Sequence, residues 1–190
     1  NGATIIMSGN VTLGSATGLG ASSTPATDYT SLRAATLDLN GQTIAEKIWI
    51  DNAAAVLANS NAMAAAITTD IGLSSNLTVD TTGDILAPRM IATATRTITK
   101  IGTGTLTTSG STHNNLTAWD IQAGTVVFAN TSGYGADRGV LINGGTLQLS
   151  GANSNLINDG QPFTITSGIY DLNGKGEAVG LLGIDADGVG

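Results

Sequence analysis

A seven-residue pattern returns along this chain every twenty or so residues, and that recurrence limits the fold more than any other feature of the sequence. It begins at Ala3 (ATIIMSG), Ala35 (ATLDLNG), Ala54 (AAVLANS), Ser75 (SNLTVDT), Gly104 (GTLTTSG), Gly124 (GTVVFAN), Gly145 (GTLQLSG) and Gly168 (GIYDLNG). The start-to-start spacings are 32, 19, 21, 29, 20, 21 and 23 residues, a period of 19–23 broken by two longer gaps. The third position is apolar throughout: Ile5, Leu37, Val56, Leu77, Leu106, Val126, Leu147 and Tyr170. The fifth is Met7, Leu39, Ala58, Val79, Thr108, Phe128, Leu149 and Leu172, apolar in all but one copy. Threonine recurs at the second position and mixed residues at the fourth, so each copy reads as a strand with one wet face. Short polar side chains and Gly or Asn close the copy, and these residues favour tight corners.

One strand and one corner cannot fold alone, because ordering twenty residues costs roughly 1–2 kcal/mol each while a buried Val or Leu returns about 1.5–3 kcal/mol. Stacked copies can, since each apolar position then becomes a continuous column and every strand pairs above and below. The pattern therefore predicts an all-β solenoid, a parallel β-helix of eight or more rungs forming a single segment over 1–190. The Ala-rich stretch 52–67 favours helix by composition, but Val56 and Ala58 fall at inward positions of the repeat, and the strand reading is preferred. The two long gaps are read as insertions near 17–31 (TGLGASSTPATDYTS) and 84–99, the latter as a further strand pair because Thr93, Thr95, Thr97 and Thr99 alternate strictly.

Composition narrows the function. Aromatic residues make up 4 % and charged residues 11 %, so the interior is built of small aliphatic side chains and the walls carry little charge. A formal charge of -7 and a pI near 4.3 exclude a basic face for nucleic acid. With no Cys and one His, neither a disulfide framework nor a thiolate or His-cluster metal site can form. No apolar run of about 18 residues appears, and no signal peptide pattern. Asn1 in place of Met points to a processed product or a fragment.

From Thr99 to Ile184 the segments TKIGTGTLTTSG, AGTVVFAN, INGGTLQLSGANSN and IYDLNGKGEAVGLLGI resemble the autotransporter-associated β-strand repeats, also called passenger-associated transport repeats. ATLDLNGQTI and SNLTVDTTGDI extend the resemblance over nearly the whole chain. The resemblance implies a right-handed parallel β-helix on the outside of a bacterium, within a large secreted or surface-attached protein exported by a type V route. The sequence departs from the family at GSTHNNLTAW, where the family has GANTYTGGT, and no membrane barrel or catalytic domain accompanies it.

Candidate sites are sparse. General acid/base work on a polysaccharide needs paired carboxylates, and Asp80, Asp84 and Arg89 are the nearest approach, read chiefly as solvated surface groups. His113 reads as an exposed corner residue. Asp185 and Asp187 before Gly188 are weak calcium candidates that lack the remaining oxygens of a calcium loop. Trp119 and Tyr29 are candidate partner contacts, and Trp49, between Ile48 and Ile50, is a glycan or partner contact if it faces outward. The outward threonines suggest an ice-binding array, but interruptions at Ala55, Asn76 and Ile169 favour an inert exterior.

No catalytic residue and no cofactor are expected. The leading expectation is a non-enzymatic extracellular or cell-surface stalk, fibre or coat, without nucleic-acid partners and with self-association through the solenoid ends, since joining Gly190 to another Asn1 would leave an ordinary rung of 25 residues between Gly168 and Ala3. The alternatives are an adhesin for a cell-surface or glycan partner, through the 17–31 loop or an exposed Trp119, and a polysaccharide-active enzyme.

Overall fold

The computed structural model describes residues 3–20 and 28–184, and within them the chain is all strand and turn. Every strand pairing is parallel. The chain winds as a β-solenoid of about seven turns, close to the eight or more expected.

Each complete coil has three walls. The first stacks residues 4–6 of Thr4–Thr12, 30–32 of Thr30–Asp38, Ile48–Ile50, Ile71–Leu73 and Met90–Ala92. The second continues the same two long strands and adds Val56–Asn59, Leu77–Thr81, Arg96–Ile101, Thr117–Ile121, residues 140–142, residues 162–165 and Leu181–Ile184. The third runs from Thr43–Ile44 through Ala65–Ile67, Ile85–Ala87, Thr105–Thr108 and Thr125–Phe128 to residues 146–149 and 169–171.

Alternate side chains of each wall turn inward and stack, as the pleat requires. Ile6, Leu32, Ile50, Leu73 and Ala92 form a column on the first wall. Ile85, Leu106, Val126, Leu147 and Tyr170 form one on the third, beside Ala87, Thr108, Phe128 and Leu149. On the second wall Leu77, Ile98, Trp119, Val140, Phe163 and Leu182 lie in line. Next to them run Val11, Leu37, Leu57, Val79, Lys100, Ile121, Ile142, Ile165 and Ile184. Small aliphatic residues suit the narrow interior, and its aromatics meet in pairs, Trp119 with Phe128 edge to face at 5.2 Å and Phe163 with Tyr170 tilted at 4.7 Å.

Four sequence expectations need correction. The copy at Ala3 does not carry the repeat: Ile5 and Met7 are 51 % and 57 % exposed, and Val11 stands opposite Leu37. In the copy at Ala54 the inward residues are Leu57 and Asn59, with Val56 and Ala58 turned outward, one residue from the predicted parity. The aligned copies also mix two walls, because ATLDLNG and SNLTVDT lie on the second wall while the four copies from Gly104 onward place their strands on the third. That mixing created the apparent insertion at 84–99, which holds the strands Ile85–Ala87 and Met90–Ala92 and the start of Arg96–Ile101, all in register with their neighbours. Measured down the second-wall column from Val11 to Leu37, Leu57, Val79, Lys100, Ile121, Ile142, Ile165 and Ile184, the spacings are 26, 20, 22, 21, 21, 21, 23 and 19. The single long step covers the 17–31 segment, of which residues 21–27 lie outside the described residues.

The corners are held by side chains that reach the adjacent coil. Asn59 accepts from Gly41 N and donates to Asp84 O, both at 2.9 Å. Asn130 accepts from Thr108 Oγ1 at 3.1 Å and donates to Thr112 O at 3.1 Å. Beyond Met90–Ala92 the first wall has no strand among the described residues; an isolated parallel bridge between Ala136 and Ile157 continues it, and polar side chains share its ladder. Asn114 Oδ1 accepts from Met90 N, Asp137 Oδ2 from Leu116 N, and the Glu177 carboxylate from Leu156 N and Ile157 N. Burial raises the Glu177 carboxyl above its ordinary range even though both of these bonds favour the anion.

Candidate functional site

Three of the residues expected to carry chemistry, Asp84, Arg89 and His113, are engaged in hydrogen bonds between coils. Asp84 Oδ1 accepts from Thr105 N at 2.8 Å, capping a third-wall strand. Arg89 bridges coils by donating to Asp70 and to Thr112, and its ion pair with Asp70 raises its pKa further. Asp80 is exposed on the second wall beside Ile101 of the next coil. His113 is exposed as expected, with Nδ1 accepting from Tyr134 N at 3.1 Å and its ring 4.8 Å from that of Tyr134. Asp185 and Asp187 lie outside the described residues.

The aromatic candidates exchange places. Trp119, expected as a partner contact, is 1 % exposed: its position in the alternation turns it inward, and its Nε1 donates to Gly135 O at 3.1 Å. Trp49 is the outward tryptophan, since Ile48 and Ile50 on either side are buried. Its ring lies against Gly72 of the next coil, where any Cβ would overlap it. Nε1 donates to Ser74 Oγ at 2.9 Å, and Lys47 Nζ sits 5.7 Å from the ring centre. Tyr29 is half-buried, with its carbonyl accepting from Thr4 N.

The threonine array shrinks to Thr105, Thr125 and Thr146 on the third wall, because Thr36 lies on the second wall opposite Asn10 and Val56, and Thr4 on the first opposite Thr30.

Two features escaped the sequence reading. The first is a groove of about 400 Å³ on the outside of the second wall, where Thr97, Ala118, Gly139 and Pro162 follow one another up four coils, with Asp120, Leu141 and Thr164 alongside. Ala118 and Gly139 are the small residues that open it. The second is Lys100, wholly buried in an otherwise apolar column. Its Nζ donates to Ile101 O at 2.8 Å, Gly102 O at 3.0 Å and Ala123 O at 3.2 Å. Burial lowers its pKa to about 8 against the opposing charges of Asp80 and Asp84. The signal was available: counting 21 residues on from Val79 puts a lysine where Leu37, Leu57 and Ile121 place aliphatic groups. Among the described residues no three His, Cys, Asp or Glu side chains converge as a metal-binding group.

No family model matches the chain, and no curated protein and no solved structure matches it either.

Proposed function

We propose that this chain is a structural segment of an extracellular or cell-surface solenoid, a stalk, fibre or coat whose work is length and rigidity rather than turnover. The observation that carries this reading is where the exposed apolar side chains lie. Ile5 and Met7 belong to the first coil, and Ile169, Leu172, Leu181, Leu182 and Ile184 to the last. Among the described residues, only Met63 and Leu86 of the large exposed hydrophobics lie between. Exposed apolar groups beside open strand edges favour a further coil in the same register. Head-to-tail contact of that kind does not close on itself and so builds a filament. The engaged states of Asp84, Arg89 and His113 favour a non-enzymatic role, and the resemblance to passenger repeats supports a place outside the cell.

Electron microscopy and sedimentation of concentrated protein test this. Filaments whose subunit repeat is a whole number of rungs of about 4.7–4.9 Å, dissolved by Leu182→Lys with Ile184→Lys, are expected. A protein that stays monomeric at every concentration would count against self-association.

The groove beside Asp120 and Leu141 supports a second reading, an adhesin that takes an extended partner along the second wall. Gly139→Phe, which fills the groove, would then abolish adhesion without affecting filaments.

A further inference from the structure

Lys100 occupies a corner whose backbone is shaped for it. The chain turns from the second wall to the third at Gly102 (φ 74°) and, one coil further on, at Gly124 (φ 63°), conformations that side chains rarely adopt. The carbonyls of Ile101 and Gly102 from one coil and of Ala123 from the next converge on a single point occupied by Nζ. A Cβ on Gly124 would stand 2.8 Å from that nitrogen, so the glycine also supplies the room.

We propose that this corner is a built site for a primary ammonium ion, closed in cis by Lys100, and that it takes a free alkylammonium once the side chain is cut back. An ammonium on a single carbon stem has three N–H donors, and the corner offers three acceptors. The distances of 2.8–3.2 Å are hydrogen-bond lengths, well beyond the 2.0–2.6 Å at which magnesium or calcium draws in oxygen ligands. Burial works against the charge, and Asp80 and Asp84 offset part of that cost without touching the nitrogen as direct partners, so that the three hydrogen bonds hold a charged ammonium at neutral pH. The stem fills the aliphatic column between Val79 and Ile121, so the space left when it is cut back is walled by apolar groups beneath the polar rim. In the intact protein the tethered cation clips two successive coils together and fixes their register, a role for which buried polar groups have precedent in coiled coils.

The test uses the full chain with Lys100→Ala, which removes a propylammonium-sized piece. Thermal unfolding at pH 7 is followed with n-propylammonium chloride, and with 1-propanol and tetramethylammonium chloride at equal concentration. A saturable rise of the midpoint by a few degrees is expected with propylammonium alone, in Lys100→Ala and not in the parent. An equal rise with propanol would mean that only an apolar cavity is being filled, and no rise would mean that no site remains; either result overturns the proposal. If Lys100→Ala does not fold, nitrogen-15 NMR of the parent decides. The proposal expects the Lys100 ammonium protons to be protected from exchange and coupled to the carbonyls, and exchange as fast as at Lys175 overturns it.

Discussion

At the scale of single residues, the buried lysine makes stability depend on pH in an unusual direction. Lys100 releases its proton in the folded chain near pH 8, whereas an unfolded lysine holds it to about 10.5. Between those values the unfolded state binds more protons, so stability rises as pH increases. Denaturant midpoints should therefore climb between pH 8 and 9.5 and stay level in Lys100→Met. Above pH 10 the sign reverses, because burial and then the nearby Glu177 charge raise the Tyr170 hydroxyl, and only the unfolded chain ionises it readily. A flat profile in the parent would mean that Lys100 remains charged throughout. Trp49 and Gly72 form the second tightly fixed pair. Gly72→Ala forces the indole off the sheet and should cost roughly 1–3 kcal/mol, as overpacking does. Most of that cost should vanish in a Trp49→Ala background, and a double-mutant cycle measures the difference.

At the scale of strands, the sequence and the structure part ways over parity. Alternation announces a strand but does not say which set faces inward when both sets are small. Leu106, Val126 and Leu147 were legible because threonine alternates with each of them. In AAVLANS either set passes as inward, and Asn59 stands where the other copies carry a short polar corner residue, although it is buried and bonds to two neighbouring coils. The wall was equally hard to assign, since the second and third walls obey the same local rules and differ only in what lies one coil away. Trp119 was misplaced for a related reason: its inward position shows only when it is aligned with Ile98 and Val140 rather than with the glycine-threonine motif. Neither the groove nor the carbonyl cluster has a local signature, because each is assembled from residues about 21 apart. The structural parity has a direct test. Leu57→Ala should cost roughly 2–5 kcal/mol through the cavity it leaves, while Val56→Ala should stay within about 1 kcal/mol, and the reverse order would restore the register read from the sequence.

At the scale of the whole molecule, each coil touches only the coils above and below, so stability behaves as a sum of coil and interface contributions. The chain should then tolerate loss of a whole coil and not of part of one. Deleting residues 143–165 joins Ile142 to Thr166, and the corner at 166–168 takes over from that at 143–145. Residues 169–171 then descend onto Thr125–Phe128, and Leu181–Ile184 onto residues 140–142, with every inward column kept. Deleting residues 143–153 alone removes a third-wall strand and its corner, so the segment around Leu156 is brought out at the wrong wall and the upper columns lose their register. Circular dichroism and denaturant titration separate the two variants. The 23-residue deletion should keep a cooperative transition with an m-value lower by about one eighth, in proportion to the 190-residue length. The 11-residue deletion should lose strand signal from the upper coils and broaden its transition. Equal damage from both would mean that the coils are not interchangeable, and that the molecule depends on contacts beyond nearest neighbours.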